Sequence, residues 1–81
     1  MSYFVYIVEC SDRTLYTGIA TDIKRRLDEH NSSDKGAKYT KTRRPVKLKY
    51  SEKLENRSTA SKRERAIKKL TREKKLELIN D

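Results

Sequence analysis

The chain contains one long run of apolar side chains, Tyr3 to Val8 in YFVYIVEC, and that run decides most of what its 81 residues can fold into. Its β-branched and aromatic residues are apolar at odd and even positions alike, which describes a strand covered on both faces, so it is expected at the centre of a sheet. At six residues it is far shorter than the ~18 a membrane span needs, and no basic leader precedes it, so neither a membrane nor export is expected. Only 33% of the chain is hydrophobic, enough for one small core and one domain covering 1–81. A chain this short buries roughly 60–65% of the surface its unfolded form exposes, which excludes a two-lobed enzyme with a deep cleft. Any active site must lie on an open face. The single Cys10 cannot form an internal disulfide and no Cys/His cluster has zinc-ligand spacing, so a cytoplasmic, reducing setting is expected.

Around the central strand the remaining elements follow from periodicity. After the polar turn Ser11–Arg13, residues 14–20 alternate as a second strand, with Leu15, Thr17 and Ile19 on one side and Tyr16 and Gly18 on the other. An odd number of loop residues would put Tyr6 and Tyr16 on the same face of this hairpin, and an even number would separate them. Thr21 or Asp22 is placed to cap a helix over about 22–30, where Ile23, Leu27 and His30 form one stripe bordered by Arg26. Residues 31–44 read as loop with a short helical turn near Ala37. Pro45 precedes an alternating edge strand, Val46 to Tyr50. Ser58 opens a second helix with Ala60, Glu64, Ile67 and Leu70 on one stripe, and Thr71 caps a last helix through about Ile79. The expected fold is α+β, a small three-stranded antiparallel sheet flanked by helices, in the order ββαβαα.

The charge is unevenly placed. The net charge of +9 divides into −2 over residues 1–34 and +11 over residues 35–81, and the densest stretch, Lys35 to Lys49, holds seven cations and no acid. A solvated basic loop would look the same, because charge runs are commonly exposed faces. An uncompensated block with an aromatic inside it also suits tracking along phosphates, and Lys38, Tyr39, Lys41, Arg43 and Arg44 are the candidate nucleic-acid contacts.

Arg26, His30 and Glu64 sit where periodicity calls for core or core edge. Each has a plain structural explanation: a snorkelling stem, a hydrogen-bonded boundary histidine, an ion-pair partner among Arg63, Arg65, Lys68 and Lys69. The five tyrosines could simply pack. In order and spacing, however, FVY at 4–6 and YTG at 16–18 with nine residues between them, then RRLDEHN at 25–31 and a glutamate in a later helix, resemble the GIY-YIG nuclease domain. The resemblance runs from about residue 3 to 79, and the overall form is similar to the small stand-alone bacterial members of unassigned role. Phe4 stands at the family's first glycine, and Ile19, Ala20 and Thr21 replace a lysine that several members carry.

This resemblance implies a divalent-metal-dependent endonuclease acting on DNA, including branched or single-stranded forms, in repair or processing. Tyr6 would be the general base, Tyr16 would orient the water or the phosphate, Arg26 would pair with the scissile phosphate, and His30 would assist Tyr6 or hydrogen-bond the phosphate. Glu64 would hold one Mg²⁺ or Mn²⁺. Since a free tyrosine titrates near ~10, Arg26 and the metal are expected to supply the positive field that stabilises phenolate. With no targeting domain attached, substrate selection would come from nucleic-acid shape or a protein partner. The alternative is a catalytically silent nucleic-acid-binding module. A basic adaptor for a protein or membrane surface is a third reading, disfavoured because no segment has the large apolar face of an interfacial helix.

Overall fold

The computed structural model describes residues 2–32 and 35–80, so positions 33 and 34 of the expected 31–44 loop lie outside the described residues. Chain order is β1 (Tyr3–Glu9), β2 (Leu15–Ala20), α1 (Ile23–Ser32), α2 (Lys38–Lys41), β3 (Lys47–Leu54), α3 (Arg57–Lys68) and α4 (Arg72–Asn80). The sheet is antiparallel with order β2-β1-β3, which places the apolar N-terminal strand in the middle as expected.

Alternation along β1 sorts the core into two halves. Val5 and Ile7 point to one face, where they meet Ala60 and Ile67 of α3 with Leu78 and Ile79 of α4 alongside. Tyr6 and Val8 point to the other and pack with Val46, Cys10, Tyr16 and the Ile23 and Leu27 stripe of α1. The β1–β2 loop has five residues, and the register pairs Tyr6 with Gly18 and Val8 with Tyr16, so the two tyrosines share a face. Within that loop Asp12 accepts hydrogen bonds from the Thr14 amide and hydroxyl, and Arg13 takes a left-handed conformation, φ 72°.

Three expectations need correction. The third strand begins at Lys47 rather than Val46 and continues to Leu54, and it does not alternate cleanly. Ile7 pairs with Tyr50 but Val8 pairs with Leu48, so Lys49 is an extra, bulged residue, and Leu48 is turned to the opposite face from Tyr50 and is exposed. Val46 is buried just before the strand, where the Asn31 side chain donates to its carbonyl and accepts from its amide. Helix α3 is capped by Asn56, not Ser58: the Asn56 side chain accepts from the Thr59 amide while the Thr59 hydroxyl closes back on Asn56. By contrast, Asp22 caps α1 through the Arg25 amide and Thr71 caps α4 through the Lys74 amide. The helical turn expected near Ala37 is α2, four residues long.

Candidate active site

Tyr6 lies at the centre of the strand with its ring over Gly18 of the neighbouring strand. A Cβ on Gly18 would stand 2.5 Å from the Tyr6 hydroxyl and 2.7 Å from its ring carbon, so the position opposite Tyr6 must carry no side chain. Laid across β2 in this way, the phenol points at α1, and its oxygen is 2.7 Å from His30 Nε2. His30, in the last turn of α1, is fully buried, and its other ring nitrogen lies 2.8 Å from the hydroxyl of Thr40 in α2. The imidazole also meets Tyr6 and Tyr16 edge-on, at centroid distances of 5.8 and 5.4 Å.

The electrostatics differ from the expectation. Burial pushes the Tyr6 phenol up to about 12; the Arg26 guanidinium beside it opposes that shift but does not overcome it, and Tyr16 and Glu64 add to it. In the isolated protein the tyrosine is therefore a neutral phenol. Burial also holds His30 down at about 4, reinforced by Arg26 and Arg44 and opposed by Glu29, so the imidazole is neutral at pH 7. Both groups are buried, and burial resists charge on either of them.

Arg26 donates from Nη1 to Glu29 at 3.0 Å and to the Lys35 carbonyl at 2.7 Å, and it lies in a small cleft of about 120 Å³ with Thr21 and Asp22 on its rim. Two anchors on one nitrogen fix the guanidinium as a half-exposed donor next to Tyr6. Glu64 projects from α3 on the same stripe as the buried Ala60 and Ile67, its side chain 23% exposed, with Lys68 Nζ 3.4 Å from one oxygen. Tyr6, Tyr16, Arg26, His30 and Glu64, spread over four elements, thus converge on the Tyr6 phenol. Among the described residues no three His, Cys, Asp or Glu side chains group to hold a metal. A single accessible carboxylate still fits Mg²⁺ or Mn²⁺, which commonly retain several waters and draw further ligands from substrate phosphate. A larger hollow of about 700 Å³ lies between α3 and α4, lined by Leu70, Leu76 and Leu78, but it lacks every one of these five residues.

The basic run is divided by the fold. Lys38, Tyr39 and Lys41 are exposed on α2, and Tyr39 stacks on Tyr16 at 6.0 Å and 21°. Arg43 is instead built into the structure, pairing with Asp12 at 3.0 Å, donating to the Tyr39 carbonyl and covering the Tyr39 ring at 3.9 Å. Arg44 donates to the His30 carbonyl in the last turn of α1. The residue that sequence reasoning missed is Thr40. A threonine in a basic stretch carries no periodic signal, because a four-residue helix is too short to display one.

Comparison with known proteins agrees with this arrangement. Residues 2–77 match the model of the GIY-YIG catalytic domain. A UPF0213 protein of Desulfotalea psychrophila is 60% identical over 96% of this chain and 71% of its own length. Another, from Staphylococcus aureus strain Mu3, is 58% identical over 99% of this chain and 96% of its own. Among solved structures, the solution NMR structure of a UPF0213 protein from Bacillus halodurans superposes with a TM-score of 0.63 at 41% identity, covering 99% of this chain and 84% of that one. A solution NMR structure of a protein from E. faecalis gives 0.66 at 44% identity with the same coverage.

Proposed function

Since this chain belongs to the GIY-YIG family of catalytic domains, a nuclease family, we propose that it is a divalent-metal-dependent endonuclease that hydrolyses phosphodiester bonds of DNA in repair or processing. The observation that carries this reading is the 2.7 Å contact between the Tyr6 hydroxyl and His30 Nε2, next to a fixed arginine. Hydrolysis requires a base for the attacking water, neutralisation of the phosphoryl oxygens and help for the leaving oxygen. Tyr6 takes the water's proton while its own hydrogen moves toward His30. Arg26 offers its guanidinium to the scissile phosphate and Tyr16 orients the water or the phosphate. A phosphodiester seated on Arg26 would offset the part of the positive field on His30 that comes from Arg26, while burial, the larger cause of its lowered pKa, remains. Glu64 would hold a Mg²⁺ or Mn²⁺, which would supply Lewis-acid stabilisation of the leaving oxygen when bound. The exposed Lys38, Tyr39 and Lys41 extend the contact along the strand, whereas Arg43 and Arg44 act mainly by holding α2 and the end of α1 in place.

One observation favours the second reading, a catalytically silent nucleic-acid-binding module: Tyr6 is only 2% exposed. The deciding experiment incubates labelled duplex, single-stranded and branched DNA, and RNA, with Mg²⁺ or Mn²⁺, using the wild type, Glu64→Ala and Tyr6→Phe. Metal-dependent cleavage by the wild type alone supports the enzyme. Salt-sensitive binding without cleavage by any of the three supports the silent module, and equal cleavage by all three removes these residues from the site.

A further inference from the structure

Thr40 is fully buried and lies on no apolar stripe, and its hydroxyl reaches the His30 ring and the Ala37 carbonyl. Its hydroxyl has one hydrogen, which it donates to the Ala37 carbonyl at 2.9 Å. Toward His30 Nδ1, 2.8 Å away, the Thr40 oxygen is then an acceptor, and the hydrogen between them belongs to the imidazole. A neutral imidazole carries only one N–H, so Nε2 is bare, and the 2.7 Å contact with Tyr6 has the tyrosine as donor. The opposite arrangement would turn the Thr40 hydrogen toward Nδ1 and give up the 2.9 Å contact with the Ala37 carbonyl, which would keep only the Thr40 and Lys41 amides at 3.0 and 3.2 Å. Its main support would be the Ala37 amide, 3.4 Å from Nδ1 and the longest of these contacts.

We propose that Thr40 is a positioning residue that fixes His30 as the Nδ1-protonated tautomer, so that Tyr6 must donate to Nε2 and keep a lone pair for the proton of the attacking water. This rests on the hydrolytic reading above. The step balances: as the water oxygen bonds to phosphorus, its proton passes to the Tyr6 oxygen and the Tyr6 hydrogen passes to Nε2. The phosphorus bond to the leaving oxygen breaks with the electron pair on that oxygen, which is protonated from solvent. His30, briefly an imidazolium still bonded through Nδ1 to Thr40, later releases its proton to solvent. The charged and titratable groups that face this imidazole are Tyr6, Tyr16, Arg26, Glu29 and Arg44. None of them accepts from Nδ1 in the contacts described, which leaves that task to Thr40. The opposite tautomer would place an N–H against the Tyr6 oxygen, occupy one of its lone pairs and leave its hydrogen without this acceptor.

The test is clean because His30 is the only histidine in the chain. In ¹⁵N-labelled wild type at pH 7, long-range proton–nitrogen correlation should show a protonated, pyrrole-type Nδ1 and an unprotonated, pyridine-type Nε2. Thr40→Ser should keep that pattern, and Thr40→Val should lose it toward Nε2 protonation. A wild-type spectrum with Nε2 protonated overturns the proposal even if the valine variant fails to fold, and so does an unchanged pattern in folded Thr40→Val. In the cleavage assay Thr40→Val should lower kcat about 100-fold with DNA affinity unchanged, with Thr40→Ser restoring activity to within a few-fold. Equal cleavage by the valine variant overturns the positioning role. If the wild type shows the expected tautomer but cleaves nothing, the hydrolytic reading fails while the tautomer assignment stands.

Discussion

The two faces of β1 are made from adjacent residues of one strand, yet they have been given different tasks. Val5 and Ile7 pack in an apolar cluster with the fully buried Ala60 and Ile67, beside their cross-strand neighbours Glu52 and Thr17. One residue further along, Tyr6 and Val8 face a half-core in which buried polar groups are tied together: Tyr6 to His30, His30 to Thr40, Thr40 to Ala37. A face held by hydrophobic contact tolerates small shifts, since such contact has no direction. The other face is held by directional hydrogen bonds between buried oxygen and nitrogen atoms, the kind of placement that the proposed proton transfer would require. The contrast teaches that the two-residue period of a strand divides the apolar cluster from most of the proposed chemistry, with Glu64 of α3 the one proposed site residue carried by the helix of the apolar side.

Substitutions should reveal that division. The largest effect is expected for Tyr6→Phe, which keeps the ring over Gly18 and removes only the oxygen. Cleavage should fall by about 10²–10⁴-fold in kcat, while urea unfolding shifts by about 1–3 kcal/mol because His30 Nε2 loses its partner. A variant as active as the wild type would show that the tyrosine only packs. Ile67→Ala on the opposite face should do the reverse. It deletes a fully buried side chain and should cost about 2–5 kcal/mol in urea unfolding, with the activity per folded molecule unchanged. Loss of activity in the folded fraction would mean that the faces are not separable.

Acid separates them in a third way. The folded pKa of His30, about 4, lies below its ordinary 6.5, so between those values the unfolded chain binds a proton that the native state refuses. Stability is therefore fully present above pH 6.5 and is lost as pH falls toward 4, by about 3 kcal/mol in all. Urea unfolding at pH 7.5, 5.5 and 4 measures it, and His30→Asn should flatten the slope; a slope that persists in that variant would assign it to other groups. At the alkaline end the sign reverses, since Tyr6 is raised from 10 to about 12 and its contribution is present below pH 10 and lost as pH rises through 12. Gly18→Ala should come next in size. Its Cβ would overlap the Tyr6 hydroxyl and ring, so the phenol must tilt away from His30, at about 1–3 kcal/mol and with lowered kcat. Unaltered kcat there would mean that the tyrosine–histidine distance is not critical.

The apolar half of this comparison was legible in the sequence and the polar half only partly. The run from Tyr3 to Val8 specified the central strand, and a five-residue loop satisfied the parity condition for Tyr6 and Tyr16. Helical spacing brought Arg26 and His30 to one patch and put Glu64 on a buried stripe. Three features were hidden because they have no periodicity. The Lys49 bulge reverses a face without changing composition. Asn56 with Thr59 makes a capping box outside the usual Ser/Thr and Glu/Gln types. Thr40 becomes meaningful only when α2 folds back under α1. The raised pKa of Tyr6 was missed for a related reason: arginine spacing suggests a lowering field, but desolvation depends on three-dimensional cover that spacing does not reveal.

The smallest expected effect is also the sharpest, because it makes the same substitution on both faces and expects opposite signs. Thr17 pairs with Ile7 on the apolar face, is 3% exposed, and its hydroxyl has no hydrogen-bond partner among the described residues. It stands at the middle position of the YTG tripeptide, where the Tyr-Ile-Gly-like pattern has an apolar residue. Valine has nearly the same shape, so Thr17→Val removes a buried hydroxyl that gains nothing in the folded state and keeps its packing, and it should stabilise the protein by about 1 kcal/mol. Thr40→Val has the same shape change but strips the acceptor from a buried imidazole N–H, while the Ala37 carbonyl keeps the Thr40 and Lys41 amides, so it should destabilise by about 1–3 kcal/mol. Urea titrations of the two variants beside the wild type measure the difference directly. Destabilisation by both would show that the Thr17 hydroxyl has found a bridging water and that the apolar face is not dry. Stabilisation by both would show that the His30–Thr40 contact contributes nothing, and the distinction between the faces would rest on catalysis alone.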